Sequence, residues 1–281
     1  MLFFKKKYPP PLTKRKLRGR LINNSLQNLK VFFYDETDST NTRAKCYAES
    51  LSPTERECAI FVARRQTSGR GRLGKSFISG GESGIWLSML LYPDKSAPED
   101  ITVYAATVLV KALGDTIGDK VKCEPKIKWV NDLYLGDKKL SGILTEGAFN
   151  AEGRLRYAVC GIGMNLYKTE LPPEIRDIAT DIESECDLVI DRATLIANIA
   201  KRFFSELHTA GSPEVIKAYK ESSFIIGNKI TVIGKDESYP ATAVDIDDKC
   251  ALIVRRDEDG VLVKLSCGEV SIRSKFKNER N

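Results

Sequence analysis

Lys126-Ile127-Lys128-Trp129-Val130-Asn131-Asp132-Leu133-Tyr134-Leu135-Gly136-Asp137-Lys138-Lys139-Leu140-Ser141-Gly142-Ile143-Leu144-Thr145-Glu146 reads as two strands joined at Gly136-Asp137, a dipeptide favoured in two-residue hairpin turns. That register pairs Leu135 with Lys138, Tyr134 with Lys139, Leu133 with Leu140 and Asp132 with Ser141. Strand side chains alternate, so Asp132, Tyr134, Lys139 and Ser141 are expected on one face, with Leu133, Leu135 and Leu140 on the other. A lysine and an aspartate then share the polar face. By themselves they also fit an ordinary half-exposed hairpin whose ion pair contributes little.

Outward from this hairpin, strands and helices cluster. Residues 31–34, 59–63, 85–91 and 156–164 are β-rich, and Ser39 or Thr40 offers an N-cap to a helix with Ala44, Tyr47, Ala48 and Leu51 on one face. Apolar residues recur at helical spacing over 100–117 (Ile101, Ala105, Val108, Ala112) and again at Leu195, Ile199, Phe203 and Leu207, with a short helix after Pro213. Past Gly227 the texture changes to short β-rich pieces (229–233, 241–246, 251–255, 261–265 and 269–272) punctuated by Asp247-Asp248, Asp259-Gly260 and Cys267-Gly268. The pattern predicts an α+β protein, a mixed sheet flanked by helices with a small β-barrel at the C-terminus. The expected division is a basic N-terminal extension (1–30), a catalytic domain (31–225) and a C-terminal domain (226–281).

Gly69-Arg70-Gly71-Arg72-Leu73-Gly74-Lys75-Ser76 satisfies the phosphate-loop pattern G-x-x-x-x-G-K-[ST] letter for letter. That pattern binds phosphate only when a helix begins at Lys-Ser. Phe77 to Gly84 holds three glycines and no apolar stripe, so no helix is expected there. The loop still suits anions: its glycines let backbone approach a ligand closely, and Arg70, Arg72 and Lys75 are cations. A flexible basic loop closing over a polyanion is expected. Downstream, Val159-Cys160-Gly161-Ile162-Gly163-Met164-Asn165 puts glycines at alternate strand positions. Two missing side chains on one face admit either a flat ligand or a packed helix.

Composition excludes several chemistries. Seven cysteines (46, 58, 123, 160, 186, 250 and 267) form no C-x-x-C pair, and reduced thiols in a cytoplasmic protein are expected. A single histidine, His208, argues against a zinc site or a Ser-His-Asp triad, leaving charge stabilisation by Lys and Arg. No apolar run is long enough to span a bilayer, and no membrane association is expected. The net charge of +6 is uneven: residues 1–30 hold nine Lys/Arg and no Asp/Glu, leaving 35 against 38 elsewhere. Such a run can serve nucleic acid or an anionic surface. The expectation here is a solvated tail around Pro9-Pro10-Pro11, dispensable for activity.

Taken together, the motifs resemble the biotin protein ligases across about residues 31–275. The residues that carry the resemblance occur in family order: Asp38-Ser39-Thr40-Asn41; Gln66-Thr67-Ser68-Gly69-Arg70-Gly71-Arg72; Lys128-Trp129-Val130-Asn131-Asp132 with Lys139-Leu140-Ser141-Gly142-Ile143-Leu144; and Gly161-Ile162-Gly163-Met164-Asn165. Gly268-Glu269-Val270-Ser271-Ile272-Arg273 is similar to the close of the family's SH3-like domain. The resemblance implies a class II synthetase-like biotin/lipoate ligase catalytic domain. It also implies an ATP- and magnesium-dependent reaction that activates biotin as biotinyl-5'-AMP and transfers it to a lysine of a biotin carboxyl carrier protein.

The same resemblance assigns roles. Ser39, Thr40, Asn41 and Gln66 would line the biotin end, and Gly69, Arg70, Gly71 and Arg72 would form the biotin and adenylate loop. Lys139 would bridge carboxylate and α-phosphate, with Gly142 and Gly161 as backbone surface. Lys75, Phe77, Lys128, Asn131, Asp132, Asn165 and Arg273 would serve ATP, Asp132 being the magnesium ligand. The implied catalytic set is Lys139, Arg70, Arg72 and Asp132. Phe77 and Lys75 stand where many members have Trp and Arg, a smaller lid and a point charge in place of a bidentate contact. Thirty residues are too few for a winged helix-turn-helix, so no sequence-specific DNA binding is expected. A homodimer is left open. The rivals are a lipoate or octanoate ligase of the same superfamily, a P-loop NTPase and a nucleic-acid-binding module.

Overall fold

Gly84–Leu91 is buried along its whole length, which places this strand at the centre of a sheet covered on both faces. In the computed structural model, which describes residues 9–52, 54–79, 81–93, 97–118, 124–234, 238–266 and 269–272, it is β3 of a seven-stranded mixed sheet. The others are β1 (Lys30–Thr37), β2 (Ala59–Gln66), β4 (Lys126–Lys128), β5 (Asp132–Leu135), β6 (Lys138–Phe149) and β7 (Leu155–Asn165), in the order β1-β2-β3-β7-β6-β5-β4. Only β1 and β2 pair in parallel.

Alternation along β3 divides the interior. Ile85, Leu87, Met89 and Leu91 enter the main core with Ile101, Tyr104 and Val108 of α3 (Pro98–Ile117) and Leu195, Ile199 and Phe203 of α6 (Arg192–Glu206). The short helices α4 (Pro173–Arg176) and α5 (Ile182–Cys186) lie between α3 and α6 in sequence. Leu90 turns to the opposite face, into a smaller cluster with Ala44 and Ala48 of α2 (Thr40–Ser50). Ser88 shares that face and bonds the start of α2. The α2 face is the thinner one, and it keeps room over β6 and β7.

The C-terminal pieces form a five-stranded antiparallel sheet, ordered β11-β10-β9-β8-β12, from β8 (Lys229–Ile233), β9 (Ser238–Ile246), β10 (Leu252–Arg256), β11 (Leu262–Leu265) and β12 (Glu269–Ile272). It is joined to the larger sheet by α7 (Pro213–Ser222), whose Tyr219 hydroxyl donates to the Val130 carbonyl at 2.9 Å. Trp129 Nε1 donates across to the Cys250 carbonyl at 2.8 Å. Both ties grip the short segment between β4 and β5.

Two expectations need correction. The hairpin turns at Gly136-Asp137 and keeps Leu135 opposite Lys138 and Tyr134 opposite Lys139, but a bulge then shifts the register. Leu133 faces Ser141 and Asp132 faces Gly142, not Leu140 and Ser141. The extra residue is Leu140, so Leu140 and Ser141 are buried in succession. The second correction concerns residues 9–30 of the basic segment, which are not a solvated tail. Thr13 caps α1 (Lys14–Asn23), and Leu12, Leu17 and Leu21 are at most 1% exposed within the main core. The positive charges occupy the outer side, where Lys16 and Arg20 reach Asp191, the N-cap of α6. Among the described residues no helix is long and apolar enough to cross a membrane.

Candidate active site

The bulge in β6 has a direct consequence for the site. Strict alternation would put Lys139 on one face and Gly142 and Leu144 on the other. The inserted Leu140 reverses the parity, so Lys139, Gly142 and Leu144 all line one cavity on the α2 face, beside Gly161 and Gly163 of β7. Asp132, opposite Gly142, joins them, and Lys139 Nζ lies 2.8 Å from its Oδ2. The second carboxylate oxygen, Oδ1, is buried without a hydrogen-bond partner.

One end of the cavity is a small neutral network. Gln66 Oε1 accepts from the Thr40 backbone N–H (2.8 Å) and Thr40 Oγ1 (3.1 Å), while its Nε2 donates to Ser79 Oγ (3.1 Å). Ser88 Oγ lies 2.7 Å from Thr40 Oγ1 and 2.6 Å from Asn41 Oδ1. Its one proton serves one of them at a time. Asn41 Nδ2 donates to the Leu144 carbonyl (3.2 Å) and to Glu146 Oε2 (2.8 Å). Ser39, Thr40, Asn41 and Gln66 are all buried, so this end presents oriented donors and acceptors without net charge.

The other end is cationic. Arg70, Arg72, Lys75 and Lys128 line it, with Gly71, Ser76, Phe77, Trp129 and Asn131. The loop that resembles a phosphate loop does not start a helix. It folds back on itself, with Arg70 bridged to Ser76, Gly71 N–H donating to the Lys75 carbonyl (2.7 Å) and Phe77 N–H to that of Gly69 (2.9 Å). Arg72 Nη1 donates to Asn131 Oδ1 (3.0 Å), whose Nδ2 donates to the Ile143 carbonyl (2.8 Å). Asn131 is thereby fixed between loop and sheet.

The two strand glycines answer both readings of them. A Cβ at Gly161 would sit 2.2 Å from Asn41 Oδ1, and one at Gly163 would sit 2.7 Å from the Phe77 ring. The first therefore admits the head of helix α2, and the second admits a flat ring. Phe77 stands edge-on to Trp86 (centroids 5.9 Å apart) with Lys139 Nζ 6.0 Å from its own centroid.

Of the residues expected at the site, two do not line the cavity and a third lies outside the described residues. Gly69 backs the loop, where a Cβ would meet Ser79 Oγ at 2.2 Å. Asn165 Nδ2 donates to the Thr180 carbonyl and does not line the cavity. Arg273 lies outside the described residues. Sequence reasoning missed Ser88, hidden in an apolar strand, and Val270, which the C-terminal sheet contributes to the lining. It also left Glu146 without a role. Burial alone would raise the Glu146 carboxyl, but hydrogen bonds from Lys45 and Asn41 and the charge of Arg70 outweigh it and hold it below its ordinary value.

Comparison with known proteins agrees with this arrangement. Residues 33–165 match the biotin/lipoate A/B protein ligase family, and residues 225–273 match the biotin protein ligase C terminal domain. The chain is 31% identical over 230 residues to the biotin–[acetyl-CoA-carboxylase] ligase of Paracoccus denitrificans, covering 78% of this chain and 91% of that one. It is 29% identical over 260 residues to the bifunctional ligase/repressor BirA of Bacillus subtilis, covering 90% and 77%. Its fold superposes on the biotin protein ligase of Aquifex aeolicus in complex with biotin and ATP with a TM-score of 0.71, at 25% identity over 87% of this chain and 98% of that one.

Proposed function

The chain belongs to the biotin protein ligase family, and we propose that it activates biotin with ATP and passes it to a lysine of a biotin carboxyl carrier protein domain. The observation that supports this reading is that Lys139 lines the same cavity as the buried neutral pocket residues and the arginine-rich loop. In this reading a carboxylate and an α-phosphate meet beside it. We assign the catalytic unit to residues 31–225, capped by α1, and the C-terminal unit to 226–281.

In this reading the ureido ring of biotin takes its hydrogen bonds from Ser39, Thr40, Asn41 and Gln66, over the backbone of Gly142 and Gly161. A carboxylate oxygen attacks the α-phosphorus in line and pyrophosphate leaves, forming a mixed anhydride. Two anions must approach each other, so Lys139, Arg70 and Arg72 stabilise the charge that builds up. Lys75, Phe77, Lys128 and Asn131 serve the nucleotide. The acceptor amine then attacks the acyl carbon, an amide forms, and AMP departs. In this reading Asp132 takes the amine proton.

Magnesium suits Asp132 in one respect: the carboxylate has a buried, unpartnered oxygen. Among the described residues no group of three or more acidic, His or Cys side chains could hold a metal. Magnesium usually binds through one or two carboxylates plus substrate phosphates, so here Asp132 and the nucleotide would share it, and it would neutralise phosphate charge. The basic segment is assigned to scaffolding and not to DNA, because its described part, residues 9–30, builds α1 into the core.

Pyrophosphate–ATP exchange, measured with biotin, with lipoate and with neither, tests the proposal. Exchange dependent on biotin is expected. Exchange that responds only to lipoate, or ATP turnover without either acid, would refute it.

A further inference from the structure

Glu146 closes the stretch that decides the fold, yet nothing in the reaction outlined above uses it. Its side chain is 21% exposed, and three cationic or amide donors from two separate elements converge on it. Asn41 Nδ2 reaches Oε2 at 2.8 Å, and Lys45 Nζ and Arg70 Nη2 reach Oε1 at 2.8 and 3.4 Å. Asn41 and Lys45 belong to α2, and Arg70 to the arginine loop.

We propose that Glu146 is a positioning residue that orients the Asn41 carboxamide and moors the arginine loop beside it. The proposal rests on the ligase reading above. An amide's two ends are nearly equal in size, so its orientation is set by its partners. When ionised, Glu146 can only accept, and with the Leu144 carbonyl it claims Nδ2. Oδ1 is left facing Ser88 and the backbone of Gly161. Biotin therefore meets a fixed acceptor at that position. The same carboxylate holds Arg70, so the pocket end and the loop end are tied through one group.

The test uses biotin-dependent pyrophosphate–ATP exchange on the full chain, with KM for biotin and for ATP measured separately. Glu146→Gln carries an amide that can present a donor to Asn41, and the orientation loses its determinant. Biotin KM is expected to rise about tenfold, the size of one lost charge-assisted hydrogen bond, with kcat lowered because Arg70 loses its anchor and ATP KM within about twofold. Glu146→Asp keeps the charge but is one methylene too short to reach all three partners, and about a threefold rise in biotin KM is expected. It carries the test if the Gln variant does not fold. An unchanged biotin KM in either folded variant would overturn the proposal, as would a parallel loss in kcat and both KM values. Wild-type exchange that ignored biotin would instead sink the ligase reading and this proposal with it, before any variant is compared.

Discussion

Gly161→Ala adds one methyl group to the centre of the site, and its cost can be worked from the geometry. The new Cβ would fall 2.2 Å from Asn41 Oδ1, 2.9 Å from its Cγ and 3.0 Å from its Nδ2. A carbon–oxygen contact needs about 3.3 Å, so something must move by about 1 Å. Strand β7 cannot be that something, because Gly161 is paired on both sides, with Ser88 of β3 and Leu144 of β6. The Asn41 carboxamide has to leave, and it gives up its contacts with Ser88, the Leu144 carbonyl and Glu146. Three hydrogen bonds at about 1 kcal/mol each come to about 3 kcal/mol of fold stability; biotin loses the one contact the carboxamide offers it, and about a tenfold rise in biotin KM is expected. The assay is again biotin-dependent exchange. The control is the same substitution in an Asn41→Ala background, where the clash is gone and the second change should cost nothing further. A biotin KM within threefold of wild type for Gly161→Ala would refute the reasoning, since it would mean that Asn41 does not press on β7.

Further outcomes are expected. Lys139→Ala should lower biotin-dependent exchange by a factor of about 1000, as seen on removal of one transition-state donor elsewhere, with an unchanged circular dichroism spectrum; near-wild-type exchange would remove the assigned role. Leu17→Ala should cost about 3 kcal/mol and lower Tm by on the order of 10 °C, because Leu17 is 0% exposed; an unchanged melt would return α1 to the status of a tail. Asp191 is buried enough to raise its pKa, but Lys16, the Ala193 N–H and Arg20 more than offset this, and its carboxyl is held below the ordinary 3.8. A depressed carboxylate stabilises the fold above its unfolded pKa and loses that contribution as pH falls through the folded one. Urea midpoints of wild type and Asp191→Asn should therefore differ at pH 7 and converge below about pH 3.8; a gap that persisted or widened in acid would contradict the sign.

Much of the secondary structure was legible locally. Residues 85–91 are apolar at every position but Ser88, a pattern that suits a strand covered on both faces, and β3 is that strand. The turn at Gly136-Asp137 follows from local backbone chemistry, and so does the failure of residues 77–84 to form the helix a phosphate loop needs. Helix α1 was missed because its sequence, Lys14-Arg15-Lys16-Leu17-Arg18-Gly19-Arg20-Leu21, is dominated by charge. Its two leucines (17 and 21), with Leu12 just ahead of the helix, become a stripe only once α6 and the core lie beneath them. The outward charge, which suggested a tail, is what a thin amphipathic helix shows to solvent.

The candidate site divides in the same way. The family resemblance carried by the four motifs named most of the side chains that line one cavity with Lys139, because the motifs are local properties of the sequence. Tertiary structure decided how they meet. The bulge at Leu140 is a response to pairing on both sides of β6, and it brings Lys139 to the face of Gly142. Ser88 comes to the site from a strand that carries no motif, and Val270 and Glu146 sit within or beside motifs that gave them no role. A parity reversal within a strand, or a carboxylate shared by α2 and a loop, depends on neighbours distant in the chain. It is not encoded in any window of residues that can be read by itself.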